Sequence, residues 1–338
     1  MHGLHRIRFW QLVREHAHTV NAAVNALSTL PGTATPFAST LGMSRFFNHE
    51  FVTLPALIEP AQDAVRDALA RSDGPVALVA HDGSMIPYRT RNPDRYQRTH
   101  ATDVGYELGT ALVIETAHGR PLGPMELRLR TAREVVSTRP TPAHAPPGRI
   151  DELGAAMDAS GPWNLGRPAV HVIDREADSV THYRRWAGAG HAFVVRADEG
   201  RVVRFEGREV ELAALVRGPG LDWAMVTGAR SGAVTVRVGG VNGTLWVAEA
   251  TVVLDRAGRN RVGGGKRAHV PGVPLPLRLV VSWVLGPDGA VLAEWFLLTN
   301  VSRRFVGATV ARWYSWRWQI ESYHKLLETA GIDRRAHV

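Results

Sequence analysis

Short apolar runs alternate with helical stretches between Pro75 and Arg196, and this alternation limits the folds that are open to the chain. Short apolar runs bounded by turn residues predict buried strands. The predicted strands are 76–80, 109–114, 125–129, 169–173 and 192–195, with a helix over 178–186. We expect the second and third strands to pair through the turn at His118–Gly123. Strands that alternate with helices indicate an α/β layer.

The segments on either side of this layer have other patterns. Residues 5–72 are typical of a helical unit, with amphipathic stretches over 8–27 and 54–71. Residues 200–293 carry only strand signals, separated by Gly-rich turns, and so predict a β-strand insertion. Its clearest strands are 233–238, 245–253 and 277–285, after which a strand at 295–298 leads into one long helix over about 305–329. We therefore divide the chain into 1–72, 73–199, 200–293 and 294–338.

The composition excludes several classes of protein. With 45% hydrophobic and 21% charged residues, the chain has the balance of a soluble globular protein. It has neither a run of about 18 apolar residues nor a secretory leader, so we expect a cytoplasmic protein with no membrane partner. The absence of cysteine excludes disulfides, zinc ribbons and thiol nucleophiles, and any metal must be held by oxygen or imidazole ligands. The sequence contains no helical H-E-x-x-H pair, so it gives no support to zinc-dependent hydrolysis.

The net charge favours a polyanionic partner. Forty Lys and Arg against 32 Asp and Glu give a formal charge of +8, which attracts nucleic acid. Only Lys266 and Lys325 are lysines, so almost all of the positive charge is arginine. A GC-rich genome would produce this bias with no functional cause, whereas arginine also forks well onto phosphate. Both interpretations stay open.

Two aspartates follow predicted strands directly. Asp82 comes after the strand at 76–80, and Asp174 comes after the strand at 169–173. Either one alone is typical of an Asp at a strand end or turn. If the strands are parallel neighbours, the carboxylates converge and repel each other unless a cation neutralises them. We interpret Asp178, four residues later, as the N-cap of the next helix.

A third set of candidates lies on the predicted C-terminal helix. At about 100° per residue, Tyr314, Arg317, Glu321, Lys325 and Glu328 form one stripe. The stripe borders an apolar face made of Trp313, Trp316, Ile320, Tyr323 and Leu327. The ordinary alternative is a solvated face with an i, i+4 ion pair. Combined with the two aspartates, this helix suits two Mg²⁺ ions that act at phosphorus, and it predicts a phosphodiester substrate.

These motifs together resemble a known family. Asp82 in His-Asp-Gly-Ser, the string Asp174-Arg-Glu-Ala-Asp, and the Tyr-x2-Arg-x3-Glu spacing of Tyr314, Arg317 and Glu321 resemble the DDE transposases of the bacterial insertion-sequence-four family, in the branch that contains transposon five. The resemblance covers most of the chain from about residue 44. It implies an α/β fold with a ribonuclease H-like catalytic core that a β domain interrupts.

The same resemblance implies the domain roles and the partners. Residues 1–72 would be a helical DNA-recognition unit, while 73–199 and 294–338 would form the catalytic core on either side of the β insertion. The partners would be double-stranded DNA, as element ends and as target, and a second copy of the chain, as a homodimer on DNA.

The resemblance also assigns the site residues. Asp82, Asp174 and Glu321 would be catalytic and would bind two Mg²⁺ ions, with Mn²⁺ able to substitute. The DNA-binding residues would be Tyr314, Arg317, Lys325, Arg196 and Trp295. Trp295 would stack on a flipped base during hairpin formation, with a place in the core as its alternative. For Arg196 the alternative is a plain arginine at a strand end.

Two features depart from the family pattern. The family has Lys seven residues after the catalytic Glu, where this chain has Glu328, and Lys325 lies one turn earlier. The sequence also ends seventeen residues after Glu321, where relatives continue, which predicts a truncated element. Three functions follow as hypotheses: a cut-and-paste transposase, an inactive DNA-binding remnant of one, and a ribonuclease H-like nuclease without strand transfer.

Overall fold

A computed structural model describes residues 36–87, 96–97, 104–140, 148–218, 221–226, 234–238, 240–261 and 267–330. The helix predicted over 8–27 lies outside these residues. The described α-helices are α1 Pro36–Phe47, α2 Leu54–Ala70, α3 Arg149–Asp158, α4 Val180–Gly188, α5 Leu212–Arg217, α6 Gly307–Ser315 and α7 Gln319–Ala330. No helix among them has both the length and the apolar character needed to cross a membrane.

The strands form one large mixed sheet and a separate hairpin. They are β1 Ala77–Pro87, β2 Tyr96–Gln97, β3 Val104–Glu115, β4 Pro121–Arg130, β5 Val135–Ser137, β6 Ala169–Ile173, β7 Ala192–Arg196, β8 Val202–Phe205, β9 Arg208–Glu211, β10 Ala224–Met225, β11 Thr235–Val238, β12 Val241–Leu254, β13 Gly258–Arg261, β14 Arg267–Val270, β15 Leu275–Leu285 and β16 Val291–Thr299. The main sheet runs in the order β5-β4-β3-β1-β6-β7-β16-β15-β12-β8-β9, and β13 pairs with β14.

The strands around β1 position the candidate site. β1 is antiparallel to β3 and parallel to β6, which is in turn parallel to β7. β3 pairs with β4 in antiparallel orientation, which confirms the pairing predicted through the turn at His118–Gly123. Parallel neighbours need a crossover connection, and the chain between β6 and β7 supplies one with α4. The predicted α/β fold is therefore confirmed as a mixed α/β architecture with a large mixed sheet.

The segment 200–293 adds strands to the same sheet. It contains β8 to β15, and β15 pairs with β16, which pairs with β7. One six-residue helix, α5, interrupts the strands, although the sequence predicted only β structure here. Leu212, Leu215 and Val216 of α5 are buried at helical spacing, so this short helix covers apolar surface of the sheet.

Successive side chains of β1 and β6 point to opposite faces of the sheet, and each face has its own core. Leu78, Ala80 and Val172 pack on one face in a cluster that includes residues of α6 and α7. On the other face, Ile173 packs in a cluster that includes residues of α3 and α4, among them the fully buried Trp186. Burial of each large side chain contributes about 1.5–3 kcal/mol.

Two buried histidines lie inside the sheet next to the candidate site. His81 of β1 and His171 of β6 share a hydrogen bond of 2.8 Å between Nε2 and Nδ1. Burial lowers the pKa of His171 to about 3 and holds the pKa of His81 well below its usual value. Both rings are therefore neutral at pH 7.

Acidification is expected to destabilise the fold through these histidines. The unfolded chain binds a proton near the usual pKa of 6.5, whereas folded His171 binds one only near pH 3. The histidines therefore cost the folded state nothing above the unfolded pKa of about 6.5. As pH falls from there toward 3, the free energy of unfolding decreases by about 1.4 kcal/mol per pH unit for each histidine. Urea unfolding at about pH 7.5, 6 and 5 should show this decline, with a shallower slope for His171→Gln. An identical slope in the variant would assign the decline to other groups.

Candidate active site

Asp82 and Asp174 lie side by side where the parallel pairing of β1 with β6 stops. β1 pairs with β6 up to the residue before each aspartate, so the two aspartates are the next residues along each strand. The Asp82 Oδ1 accepts a hydrogen bond from the Gly83 N–H at 2.8 Å, and the Asp174 Oδ1 accepts one from the Arg175 N–H at 2.6 Å. Asp174 follows the last residue of β6, as its apolar run predicted. Asp82 does not follow a strand end, because β1 continues to Pro87 and pairs Asp82 with Thr110 of β3.

The predicted C-terminal helix is broken where it passes these strand ends. Instead of one helix over 305–329, the structure has α6, a 3₁₀ turn at Trp316–Trp318, and α7. A 3₁₀ turn winds more tightly than an α-helix, so a count at 100° per residue fails across it. Trp316 packs over Gly119, where an added Cβ would overlap the indole. The local sequence pattern of the helix does not predict this contact, because the turn lies far away along the chain.

The guanidinium of Arg317 contacts all three candidate acids. Its Nη1 lies 3.2 Å from the Asp82 Oδ2, and its Nη2 lies 3.5 Å from the Asp174 Oδ2 and 3.3 Å from the Glu321 Oε1. The Arg317 side chain is only 4% exposed. Three carboxylates from distant parts of the chain therefore meet at a single buried cation.

Tyr314 adds a hydrogen-bond donor to this cluster. Its hydroxyl donates to the Asp174 Oδ1 at 3.4 Å, and the residue is almost completely buried. Burial raises the pKa of Tyr314 to about 12. The hydroxyl therefore keeps its proton at neutral pH and acts only as a neutral partner of the carboxylate.

The cluster holds more negative than positive charge. Burial raises the pKa of Glu321, and Asp82 and Asp174 raise it further, against the lowering effect of Arg317 and Lys325. Carboxylate oxygens in this number are the ligands that Mg²⁺ prefers, so the donor chemistry fits a divalent cation. No three His, Asp or Glu side chains in the described ranges are already arranged as a metal site. The guanidinium of Arg317 contacts the same three acids that would hold such an ion.

The other predicted cations lie at the edge of the cluster. Lys325 is exposed on α7, one turn beyond Glu321, and is near enough to lower the Glu321 pKa. Arg196 ends β7 and lines, together with Asp174, a cleft of about 570 Å³. Glu328 belongs to α7, but its side chain lies outside the described part of the chain.

Trp295 is not at the surface. It is 3% exposed and packs edge-on against Tyr314, with ring centroids 5.4 Å apart. An indole in this position has no free face for a flipped base, because the core of the sheet and α6 cover it. The structure therefore places Trp295 in the core, which was the alternative for this residue.

Asp178 is not the helix N-cap that the sequence suggested. Ser179 precedes α4 directly, with no side-chain cap. The carboxylate of Asp178 instead accepts hydrogen bonds from the Arg201 Nε and the Tyr183 hydroxyl, at 3.0–3.1 Å. Asp178 thus ties the loop after β6 to the segment after β7.

The sequence did not point to a group of buried charges beside the site. Glu126 and Arg128 alternate with apolar residues in β4, a pattern that predicts a solvent-facing side, yet both are buried. They form ion pairs with each other and with Glu152 and Arg139. The one available signal was the glycine on each of two paired strands, Gly83 and Gly109, which leaves room for charged side chains against the sheet.

Comparison with known proteins gives little further identification. No family model and no curated protein matches the sequence. Among solved structures, the chain is similar to one described as a cryo-EM structure of the piggyBac transposase synaptic complex with hairpin DNA. The match has 9% identity and a TM-score of 0.34, and it covers 85% of this chain and 46% of that one. The chain spans about half the length of that protein, and a likeness at this level adds no argument to the geometry.

Proposed function

We propose that the protein is a DDE-type DNA transposase, which cuts phosphodiesters at insertion-sequence ends and transfers the freed strand. The observation that carries the proposal is the meeting of Asp82, Asp174 and Glu321 at one guanidinium. An excess of carboxylates where the pairing of two parallel strands stops is typical of a site for divalent cations and phosphate chemistry.

The three acids would hold two Mg²⁺ ions, and Mn²⁺ would substitute for them. When bound, such ions activate the attacking oxygen and stabilise the leaving oxygen at phosphorus. Tyr314 orients Asp174 through its hydroxyl and keeps its proton. Arg317 holds the carboxylates together without DNA, and its forked donors match phosphate oxygens once DNA is bound.

The reaction would proceed in two displacements at phosphorus. Water first attacks the phosphodiester at the element end, and the 3′-oxygen leaves with a proton as a 3′-hydroxyl. That hydroxyl then attacks a phosphodiester of the opposite strand, which forms a hairpin, or of target DNA. In each step one P–O bond forms and one breaks, so no oxidant or cofactor-derived group is consumed.

The fold and the charge support this proposal in general terms. We infer that β4, β3, β1, β6 and β7 form the ribonuclease H-like core and that the 200–293 strands extend it. The formal charge of +8 favours DNA as the partner, with an affinity that falls as salt rises. A homodimer on paired element ends and an N-terminal recognition unit belong to the same proposal.

A second candidate function is DNA binding without cleavage. The specific observation in its favour is Arg317, which already neutralises part of the acid cluster from within. In a remnant of a transposase, this guanidinium would stay in place and make the cluster a structural feature. A nuclease without strand transfer is a third candidate and would use the same acids.

One experiment separates the three candidates. The full chain is incubated with Mg²⁺ and DNA that carries the element's own ends. Nicks together with hairpins or joined products support the transposase. Hydrolysis products alone, even with a 3′-hydroxyl donor end supplied, support the nuclease. Binding without any cut strand at every Mg²⁺ and Mn²⁺ concentration supports the inactive DNA-binding protein and overturns the proposal.

A further inference from the structure

Glu321 is held in a different way from the two aspartates. Asp82 lies on β1 and Asp174 follows β6 directly, so the backbone pairing of these strands fixes their separation. Glu321 lies on α7, which begins at Gln319 directly after the 3₁₀ turn. Its side chain is 32% exposed, and its carboxylate accepts a hydrogen bond from the Arg317 Nη2 at 3.3 Å. The position of Glu321 relative to the aspartates therefore depends on how α7 is attached to the sheet.

A buried hydrogen bond joins α7 to the sheet one turn beyond Glu321. The His324 Nε2 and the Thr110 Oγ1 share this bond at 3.1 Å. Thr110 is completely buried and His324 is 7% exposed, so water does not compete for either group. Residues three apart are neighbours on one side of an α-helix, so His324 lies next to Glu321 along α7. The bond therefore fixes the height and the rotation of the helix turn that carries Glu321.

Thr110 lies directly beside Asp82. The two residues are opposite partners in the antiparallel pairing of β1 with β3. Opposite residues of such a pair point to the same face of the sheet, with Cβ atoms about 4.5–5.5 Å apart. That face is the one on which α6 and α7 pack. The hydrogen bond thus ties the helix of Glu321 to the immediate neighbour of Asp82, and it uses no carboxylate oxygen.

This contact differs in kind from the one that Arg317 makes. Arg317 reaches Asp82 and Glu321 through a long side chain, and in the proposed function its donors also match phosphate oxygens. The imidazole of His324 is short and rigid, so the backbone of α7 lies close to β3 wherever its bond to Thr110 is formed. Because this bond leaves the carboxylates to other partners, it is compatible with an acid cluster that holds Mg²⁺. The ordinary alternative is a buried histidine whose polar atom is simply satisfied.

We propose that His324 and Thr110 are positioning residues, which hold Glu321 within reach of ions that it shares with the two aspartates. Neither residue touches metal or DNA in this arrangement, and both act through Glu321. Mg²⁺ requires near-octahedral geometry with oxygen ligands at about 2.0–2.1 Å, so a small displacement of α7 would take the Glu321 oxygens out of reach. The inference rests on the proposed function for the presence of metal ions at the three acids.

The test measures the Mn²⁺ affinity of the full chain without DNA. Thr110→Val removes the hydroxyl and keeps the branched shape, while His324→Leu removes the ring nitrogens. We expect each variant to bind Mn²⁺ about tenfold more weakly than the wild type, because loss of the groups that orient a metal ligand costs about 10–100-fold in affinity. Thr110→Ser and His324→Gln keep a hydrogen-bonding group near the same place and should retain wild-type affinity to within about threefold. Electron paramagnetic resonance of free Mn²⁺ gives the dissociation constants.

A second buried threonine provides the matched control. Thr299 is also completely buried, and its hydroxyl donates to the Phe193 carbonyl and makes no contact with the acids in the described structure. Thr110→Val and Thr299→Val should both lose stability in urea, but only Thr110→Val should lose Mn²⁺ affinity. Unchanged affinity in Thr110→Val and His324→Leu would overturn the proposal. An equal loss in Thr299→Val would overturn it as well, since the loss would then follow general destabilisation.

A measurement that needs neither metal nor DNA separates this proposal from the proposed function. Urea unfolding in EDTA compares the wild type, Thr110→Val, Glu321→Gln and the double variant. If the bond sets how Glu321 meets Arg317, the effect of Thr110→Val on the unfolding constant should differ at least about threefold between the two backgrounds, since coupled groups are not additive. Equal effects would make the bond structural only and overturn the positioning role. If the wild type binds no Mn²⁺ while the effects differ, the metal site of the proposed function is wrong and the positioning of Glu321 stands.

Discussion

DNA cleavage is expected to fall by about 10³-fold or more when any one of Asp82, Asp174 or Glu321 becomes its amide. Each substitution removes one negative charge from the cluster that would hold Mg²⁺, and several kcal/mol of transition-state stabilisation depend on such ions. Asp82→Asn, Asp174→Asn and Glu321→Gln keep the size of each side chain. The measurement is single-turnover cleavage of labelled element-end DNA with Mg²⁺.

Binding of DNA should survive these substitutions, because affinity comes mainly from arginine contacts to phosphate. Asp158→Asn is a suitable control, since Asp158 is a half-exposed acid that lies 3.0 Å from Arg185 and makes no contact with Arg317 in the described structure. The control should cleave like the wild type. If one of the three amide variants cleaved at the full rate, the residue changed in it would be excluded as a ligand of the proposed metal site.

Arg317→Met is expected to reduce the free energy of unfolding by about 2–3 kcal/mol. Methionine fills much of the buried space but leaves three carboxylates without their shared cation. Loss of one partner from a fully buried ion pair costs about 3–5 kcal/mol, and partial exposure of these acids lowers that figure. Urea unfolding in EDTA measures the loss.

Divalent cations should restore stability to Arg317→Met more than they stabilise the wild type. In the variant, Mn²⁺ takes the place of the guanidinium without competition, and at about 100 times the dissociation constant it contributes about 2.7 kcal/mol. Electron paramagnetic resonance of free Mn²⁺ gives the affinity directly. Arg185→Met removes an arginine from an exposed pair with Asp158 and should show neither effect. Equal Mn²⁺ affinity in wild type and Arg317→Met would show that the guanidinium does not compete with metal.

The apolar pattern predicted most of the strands and helices near the site. The runs at 169–173 and 192–195 are strands β6 and β7 almost residue for residue, since a parallel strand buried on both faces reads as a continuous apolar segment. The stretch at 54–71 is helix α2. Local spacing decides these elements, because each buries its own apolar side chains wherever it lies.

The same pattern failed where two distant segments meet. Glu126 and Arg128 read as the polar side of a half-exposed strand, but α3 and the segment after β5 cover that side and pair its charges. The break at Trp316–Trp318 depends on packing over the turn at Gly119. Local periodicity predicts neither contact, because the two partners of each contact lie far apart along the chain.

The sequence by itself determined most of the long strands, the aspartate that follows β6 and the acidic and basic residues near the end of the chain. Periodicity and residue type are local properties, so they can be read without a fold. Only the tertiary structure decided that Arg317 lies between the three acids, that Trp295 is buried, and that a cavity opens behind Asp82. Those facts depend on which faces pack together, and packing brings together residues that no spacing rule connects.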